Sequence, residues 1–280
     1  MSLPENSIVL FLLVCYYNEE ETIKMVEEQI LKQDYKNIRI IVTINGAKDL
    51  SKFQHLAHIE PRFSFVISQQ NIGYLNGADL GLKTFCKTQT LPDFAILSNS
   101  DVTIQNMSFI SELISKHSNS KNAVIGPSII SSLTGHNQNP MYEHRLSKTR
   151  LQLILLFFSN YLLYIIYNTL ALIKRKLFMP SANIKNNITK DVYALHGSFI
   201  VFKSDYFNSG ATLNYPAFLF GEELFIAEQC IKKNLTQQYD SSLSVIHHEH
   251  QTTSVFKNRK LLAYHFEALN FIYKTYYKTK

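Results

Sequence analysis

The stretch DFAILSNSDVTI, residues 93–104, ends an apolar run on an amide and a carboxylate two residues apart, Asn99 and Asp101. A hard divalent cation such as Mg2+ or Mn2+ takes oxygen ligands, commonly one or two carboxylates together with phosphate oxygens. Asp101, with Asn99 beside it, could hold such an ion against a diphosphate. Further along, SVIHHEHQTTS carries His247, His248 and His250 directly after the apolar run 243–246. Neutral imidazole is a common metal ligand. Zinc is the rival ion there, although no Cys or His partner stands at a matching spacing.

These residues act together only if elements bring them to one place. Residues 8–16 are a near-continuous apolar run, as in a strand covered on both faces. Asn18 is placed to cap a following helix, with Glu19, Glu20 and Glu21 in its first turn. Ile23, Val26, Ile30 and Leu31 then recur at helical spacing. Runs 38–44, 63–67, 94–97 and 123–125 read as further strands, and 78–85 and 109–114 as helices. The alternation predicts an α/β fold with a mostly parallel sheet between helices. Ligands bind such sheets at the carboxyl ends of the strands. Those ends carry Tyr16, Tyr17, Asn18 and Glu19, then Asn45 and Gly46, then Asn71 and Gly73, then Asn99, Ser100 and Asp101. Each is ordinary turn chemistry alone; four together make a candidate ligand rim. No Gly-x-Gly-x-x-Gly follows the first strand, which disfavours a dinucleotide.

The chain has 280 residues, 46% hydrophobic and 18% charged, enough for a large core and against disorder. Its three cysteines, Cys15, Cys86 and Cys230, are expected as core thiols in a reducing compartment. No secretory signal is expected, because the first apolar run is short and lacks a basic flank. The net charge of +6 fits a membrane surface or a polyphosphate ligand. Without an aromatic–basic module, nucleic acid is not an expected partner.

Four segments in order resemble the family-2 glycosyltransferases. LLVCYYNEEETI is similar to that family's opening strand and turn, IRIIVTINGAKD to its second motif, NIGYLNGADLGL to its helix entry, and Asn99-Ser100-Asp101 to its Asp-x-Asp motif. The resemblance covers residues 8–130 and implies a GT-A fold binding a nucleotide-diphosphate sugar with Mg2+ or Mn2+. Beyond it, YALHGSFIVFK resembles the family's acceptor-side strand, which puts His196 and Gly197 beside the acceptor. PAFLFGEELFIAEQC resembles the segment with the catalytic pair, written here Glu222-Glu223. Glu223 then stands where the family has its base, and Glu222 would orient it or the acceptor. A helix N-terminus that favours acids accounts for the pair otherwise. His247, with His250 second, matches a family position that completes the metal site. One departure is Ile44, where the family usually carries an Asp contacting the base; Asn45 would have to substitute.

Residues 151–173, LQLILLFFSNYLLYIIYNTLALI, are long enough to cross a bilayer and have basic residues at both ends. A single crossing would part Asp101 from Glu223. A helix or broken helix pair is therefore expected, lying in the membrane interface, packed on the domain, or forming a homodimer face. Residues 258–280 read as a basic amphipathic helix with Leu261, Leu262, His265, Leu269 and Ile272 on one stripe. The expected organisation is a single GT-A domain, 1–280. It comprises a nucleotide-sugar half at 1–130, an acceptor and catalytic half at 131–257 with the apolar segment 148–178, and the terminal helix 258–280. The resemblance implies an inverting enzyme of cell-surface polysaccharide assembly, rhamnosyltransferase-like. Its acceptor would be a glycan or lipid-linked glycan at the inner face of the cell membrane. A silent sugar-nucleotide-binding partner and a nucleotidyltransferase of related fold are the alternatives.

Overall fold

The structure is a computed structural model that describes residues 7–178, 188–249 and 259–278. Among the described residues nine strands form one sheet: β1 Val9–Tyr16, β2 Ile38–Gly46, β3 Phe63–Ile67, β4 Phe94–Ser98, β5 Val102–Thr103, β6 Val124–Ser131, β7 Thr189–Val192, β8 Phe199–Lys203 and β9 Gln237–His247. Their order is β3-β2-β1-β4-β8-β6-β9-β5, with β7 paired to β9. β3, β2, β1 and β4 run parallel, as the alternation predicts. β8 enters antiparallel between β4 and β6 and joins the two halves into one sheet.

The apolar run of β1 explains itself in the packing. Leu10 and Leu12 face one core with α3 (Tyr74–Phe85), whose Leu75, Ala78, Leu82 and Phe85 recur on one helical face. Val9, Phe11, Leu13 and Cys15 face the other, under α1 (Glu19–Met25), α2 (Ser51–Ile59) and α4 (Phe109–His117). A period of two with both faces covered gives an unbroken apolar string. Phe11 is fully buried, and its truncation to Ala would cost about 3–5 kcal/mol. α3 lies close on the sheet: a Cβ at Gly77 would meet Val14 Cγ1 at 2.9 Å.

The second half adds α5 (Lys148–Phe158), α6 (Tyr161–Phe178), the short α7 (Ser204–Asn208), α8 (Glu222–Lys232) and α9 (Arg259–Ile272). The 151–173 segment is not one helix. α5 and α6 meet at 120°, and among the described residues no single helix is long and apolar enough to cross a membrane. The break lies at Ser159-Asn160, where Asn160 Oδ1 accepts from Leu162 N at 2.8 Å and caps the new helix. The inner sides, including Leu151 and Tyr164, are buried, whereas Leu153, Leu156, Leu162, Ile166 and Leu170 are exposed. The stripe on α9 packs inward, with Leu262, Ala268 and Ile272 buried. Cys15 and Cys230 are core thiols, but Cys86 is exposed at the end of α3, contrary to expectation.

Candidate active site

The carboxyl ends of β1 and β4 open onto a cleft of about 550 Å³ lined by Val14, Tyr16 to Glu21, Tyr74, Asn99, Ser100 and Asp101. Its aromatic wall is the pair Tyr16 and Tyr17, set edge to face with centroids 4.8 Å apart and each about half exposed. Tyr17 sits at φ 57°, a strained conformation for a side chain of this size. Tyr17 N donates to Gly46 O at 2.9 Å. A Cβ on Gly46 would lie 3.0–3.2 Å from both rings, so only Gly seats them without displacement.

Asn18 does not cap α1 with its side chain. Instead its Oδ1 accepts from Tyr16 N at 2.8 Å, and its Nδ2 donates to Ser100 Oγ at 2.6 Å. One amide thus locks the first strand end to the Asn99-Ser100-Asp101 turn. Glu19 Oε1 accepts from the backbone of Lys48 and Asp49 and binds the β2–α2 loop. Asn45, Asn71 and Gly73 stand behind the cleft rather than in its lining. Asn45 is buried and Nδ2 donates to Gly73 O, while Asn71 Oδ1 accepts from Gly73 N. Gly73, at φ 86°, passes so close to Phe218 that a Cβ would lie 2.1 Å from its carbonyl oxygen.

The β5–β9 register sets Val102 opposite His247, and His247 Nε2 comes within 3.4 Å of Asp101 Oδ1. His247 Nδ1 is 2.8 Å from Gln138 Oε1, an acceptor that keeps the proton on Nδ1 and turns Nε2 toward Asp101. Two ligands at adjacent corners of an octahedron lie about 3 Å apart for bonds of about 2.1 Å. The pair therefore fits a hard divalent ion that keeps other positions for phosphate or water. Among the described residues no group of three or more acidic, His or Cys side chains converges, as a closed zinc site would require. His248 is held at 2.8 Å by Thr103 Oγ1. His250 lies outside the described residues.

Glu222 and Glu223 open α8, which follows Gly221 at φ 74°. Their oxygens are used differently. Glu222 Oε1 accepts from Phe220 N at 3.0 Å, and Glu223 Oε1 accepts from Gly197 N at 3.2 Å. Burial, and then the charge of Glu223, pushes Glu222 up to about 8. Burial also raises Glu223, against the hydrogen bonds from its own backbone and Gly197. Tyr74 links the two halves of the site. Its hydroxyl donates to Gly197 O at 3.4 Å. Burial, then the charges of Glu222, Asp101 and Glu223, push its phenol well above the ordinary range. His196 and Gly197 part company: Gly197 meets Glu223, whereas the His196 ring meets His247 with centroids 5.8 Å apart. Burial, then the neighbouring His247, lowers His196 to about 4.

Tyr74 and Gln138 escaped the sequence reading. Tyr74 had a visible signal, as it opens a helix directly after the rim residue Gly73. Gln138 had none, because its role depends on a histidine far along the chain.

The sheet order and helix layers define the GT-A glycosyltransferase fold, shared with two solved structures. One is a mannosyltransferase from Pyrobaculum calidifontis solved with GDP-Man and Mn2+, with TM-score 0.51 and 11% identity over 88% of this chain and 59% of that one. The other is GalNAc-T7 solved with UDP, GalNAc and Mn2+, with TM-score 0.58 and 10% identity over 86% of this chain and 44% of that one. The chain belongs to glycosyl transferase family 2, whose family model matches residues 11–180. A stretch of 83 residues is 31% identical to an uncharacterized glycosyltransferase of Haemophilus influenzae, covering 29% of this chain. The match spans about a quarter of that relative, 26% of its length.

Proposed function

We propose that the protein transfers a sugar, with inversion, from a nucleotide-diphosphate donor to a hydroxyl of a glycan or lipid-linked glycan in cell-surface polysaccharide synthesis. The observation that carries this is the pairing of the two carboxylate sets around Tyr74. Asp101, beside His247, and Glu223, held on Gly197 N, both lie close enough to Tyr74 for their charges to raise its phenol. In an inverting displacement the acceptor approaches opposite the leaving group, so base and leaving-group site must flank the anomeric carbon.

The base of the nucleotide stacks on Tyr16 and Tyr17, which present open faces beside the cleft. Among the described residues no Lys or Arg lines the cleft, and a divalent cation would neutralise the diphosphate there. Asp101, Asn99 and His247 would hold Mg2+ or Mn2+, which supplies charge neutralisation for the departing diphosphate. Glu223 accepts the hydroxyl proton as the acceptor oxygen bonds to the anomeric carbon. The bond from that carbon to the diphosphate breaks, and its electron pair leaves with the phosphate. Gly197 N orients the Glu223 carboxylate, and burial of the site raises its affinity for the proton.

The work is proposed to occur on a membrane, at its inner face, because the exposed leucines of the α5–α6 elbow follow the exposed Lys148 and Arg150.

The test is Glu223→Gln, which keeps shape and removes basicity. Donor binding should persist, and transfer to acceptor should fall by roughly two to four orders of magnitude. Normal transfer by this variant with a dead Glu222→Gln variant would move the base to Glu222; normal transfer by both would overturn the site.

A further inference from the structure

A second cavity, of about 250 Å³, lies beyond the carboxylate pair and shares no lining residue with the donor cleft. Glu222 and Glu223 lie at its floor; α5, α6 and α9 wall it with Ile154, Phe158, Tyr167 and Leu269. His265, also in the wall, stacks on Phe220 with ring centroids 3.4 Å apart. Among the described residues no Lys or Arg is present in the lining. Sugar hydroxyls set against Leu146, Ile154, Phe158 and Leu269 would lose water without gaining partners, an unfavourable exchange. A chain of methylenes loses nothing there and gains from leaving water. The wall also carries Tyr142, Tyr167 and the His265 ring, so the cavity is polar at the carboxylate end and mixed but mainly apolar elsewhere.

The helices that wall it also face outward. Leu153, Leu156, Leu162, Ile166 and Leu170 are exposed on the other side of the same elbow, and Lys148 and Arg150 stand exposed at its start. Cations beside an apolar face suit an anionic lipid surface. We propose that this cavity takes the apolar part of the acceptor, and that the acceptor is an amphiphile drawn from a lipid surface with its hydroxyl end at Glu223. The assignment of the hydroxyl end rests on the reading of Glu223 as base; the apolar cavity does not.

The test is calorimetric binding of octyl β-glucoside, kept below its micelle concentration, against methyl β-glucoside. The octyl compound should bind at least about tenfold tighter, the gain from burying about two methylenes. Met141 lines the cavity and is 40% exposed, so Met141→Trp should fill the mouth, keep the fold and remove the octyl advantage. Leu269→Gln, which makes the wall polar without filling it, should do the same. Glu223→Gln should retain the advantage. Equal affinities for the two glucosides, or an advantage that survives both wall variants, would overturn the proposal. Wild-type transfer by Glu223→Gln, with the octyl advantage still lost in Met141→Trp, would overturn the base and leave the cavity assignment supported.

Discussion

Glu222 and Glu223 are chain neighbours with opposite linkage to pH from the usual surface carboxylate. Glu222 folds with its value raised to about 8, against an unfolded value of about 4.3. The folded state therefore binds the proton more tightly. That stability is fully present below the unfolded value and is lost as pH rises through about 8. Glu222→Gln removes the loss, so its melting temperature should gain on the parent's as pH goes from 5 to 9. A constant difference across that range would contradict the burial account. A second prediction concerns the ion. Asp101→Ala should abolish Mn2+-dependent affinity for a nucleoside diphosphate while leaving the melting temperature of the free protein nearly unchanged. Affinity that ignores both metal and substitution would remove Asp101 from the site. Glu223 was a candidate in sequence because its segment resembles the family's catalytic one, and Asp101 because a carboxylate closing an apolar run stands out by type. Asn45 was misleading for the same reason: its amide is polar, yet the fold uses it to hold Gly73 O.

The elements of the N-terminal half were legible because their periods are clean, two along β1 and helical along α3. The 151–173 segment was not, because one continuous apolar string reads alike whether straight or bent, and the cap on Asn160 decides it. α8 and the C-terminal helix are tied by contacts that no period reveals. Arg145 reaches the nearly buried Glu228 with two bonds of 2.8 and 2.7 Å, donates to Tyr276 O, and lies 4.3 Å over the Tyr277 ring. Tyr193 adds its hydroxyl to the same carboxylate at 2.7 Å. The pair is lopsided, with side-chain exposure of 42% for Arg145 and 2% for Glu228. Arg145→Met therefore strands a buried charge and should cost roughly 2–3 kcal/mol, below the range for a fully buried pair because water still reaches the guanidinium. Glu228→Gln should cost less, since the arginine left behind can hydrate. Urea midpoints for the two variants read the order directly; equal losses would mean the bond rather than the stranded charge sets the cost.

At the scale of the whole molecule, one side carries the apolar elbow and its basic start. Binding to anionic vesicles should weaken as salt rises, because exposed lysine and arginine are screened. Leu156→Glu with Leu162→Glu should abolish it at any salt. Binding that persists in both conditions would place the contact elsewhere. The fold class was legible from alternation, and a mixed, mostly parallel sheet from the family resemblance, but the place of β8 was not, since it pairs with strands far from it in sequence. That insertion has a consequence for synthesis. β4 has β1 on one side, and its other edge is filled only by β8, residues 199–203. A ribosome delivers β4, then the leucine-rich elbow, and only then the strand that closes the edge. The growing chain thus shows a naked strand and a greasy helix pair together, the combination most prone to cling to other nascent chains. Early capture of the elbow by a bilayer would keep one of those two surfaces out of trouble until the ribosome has finished β8.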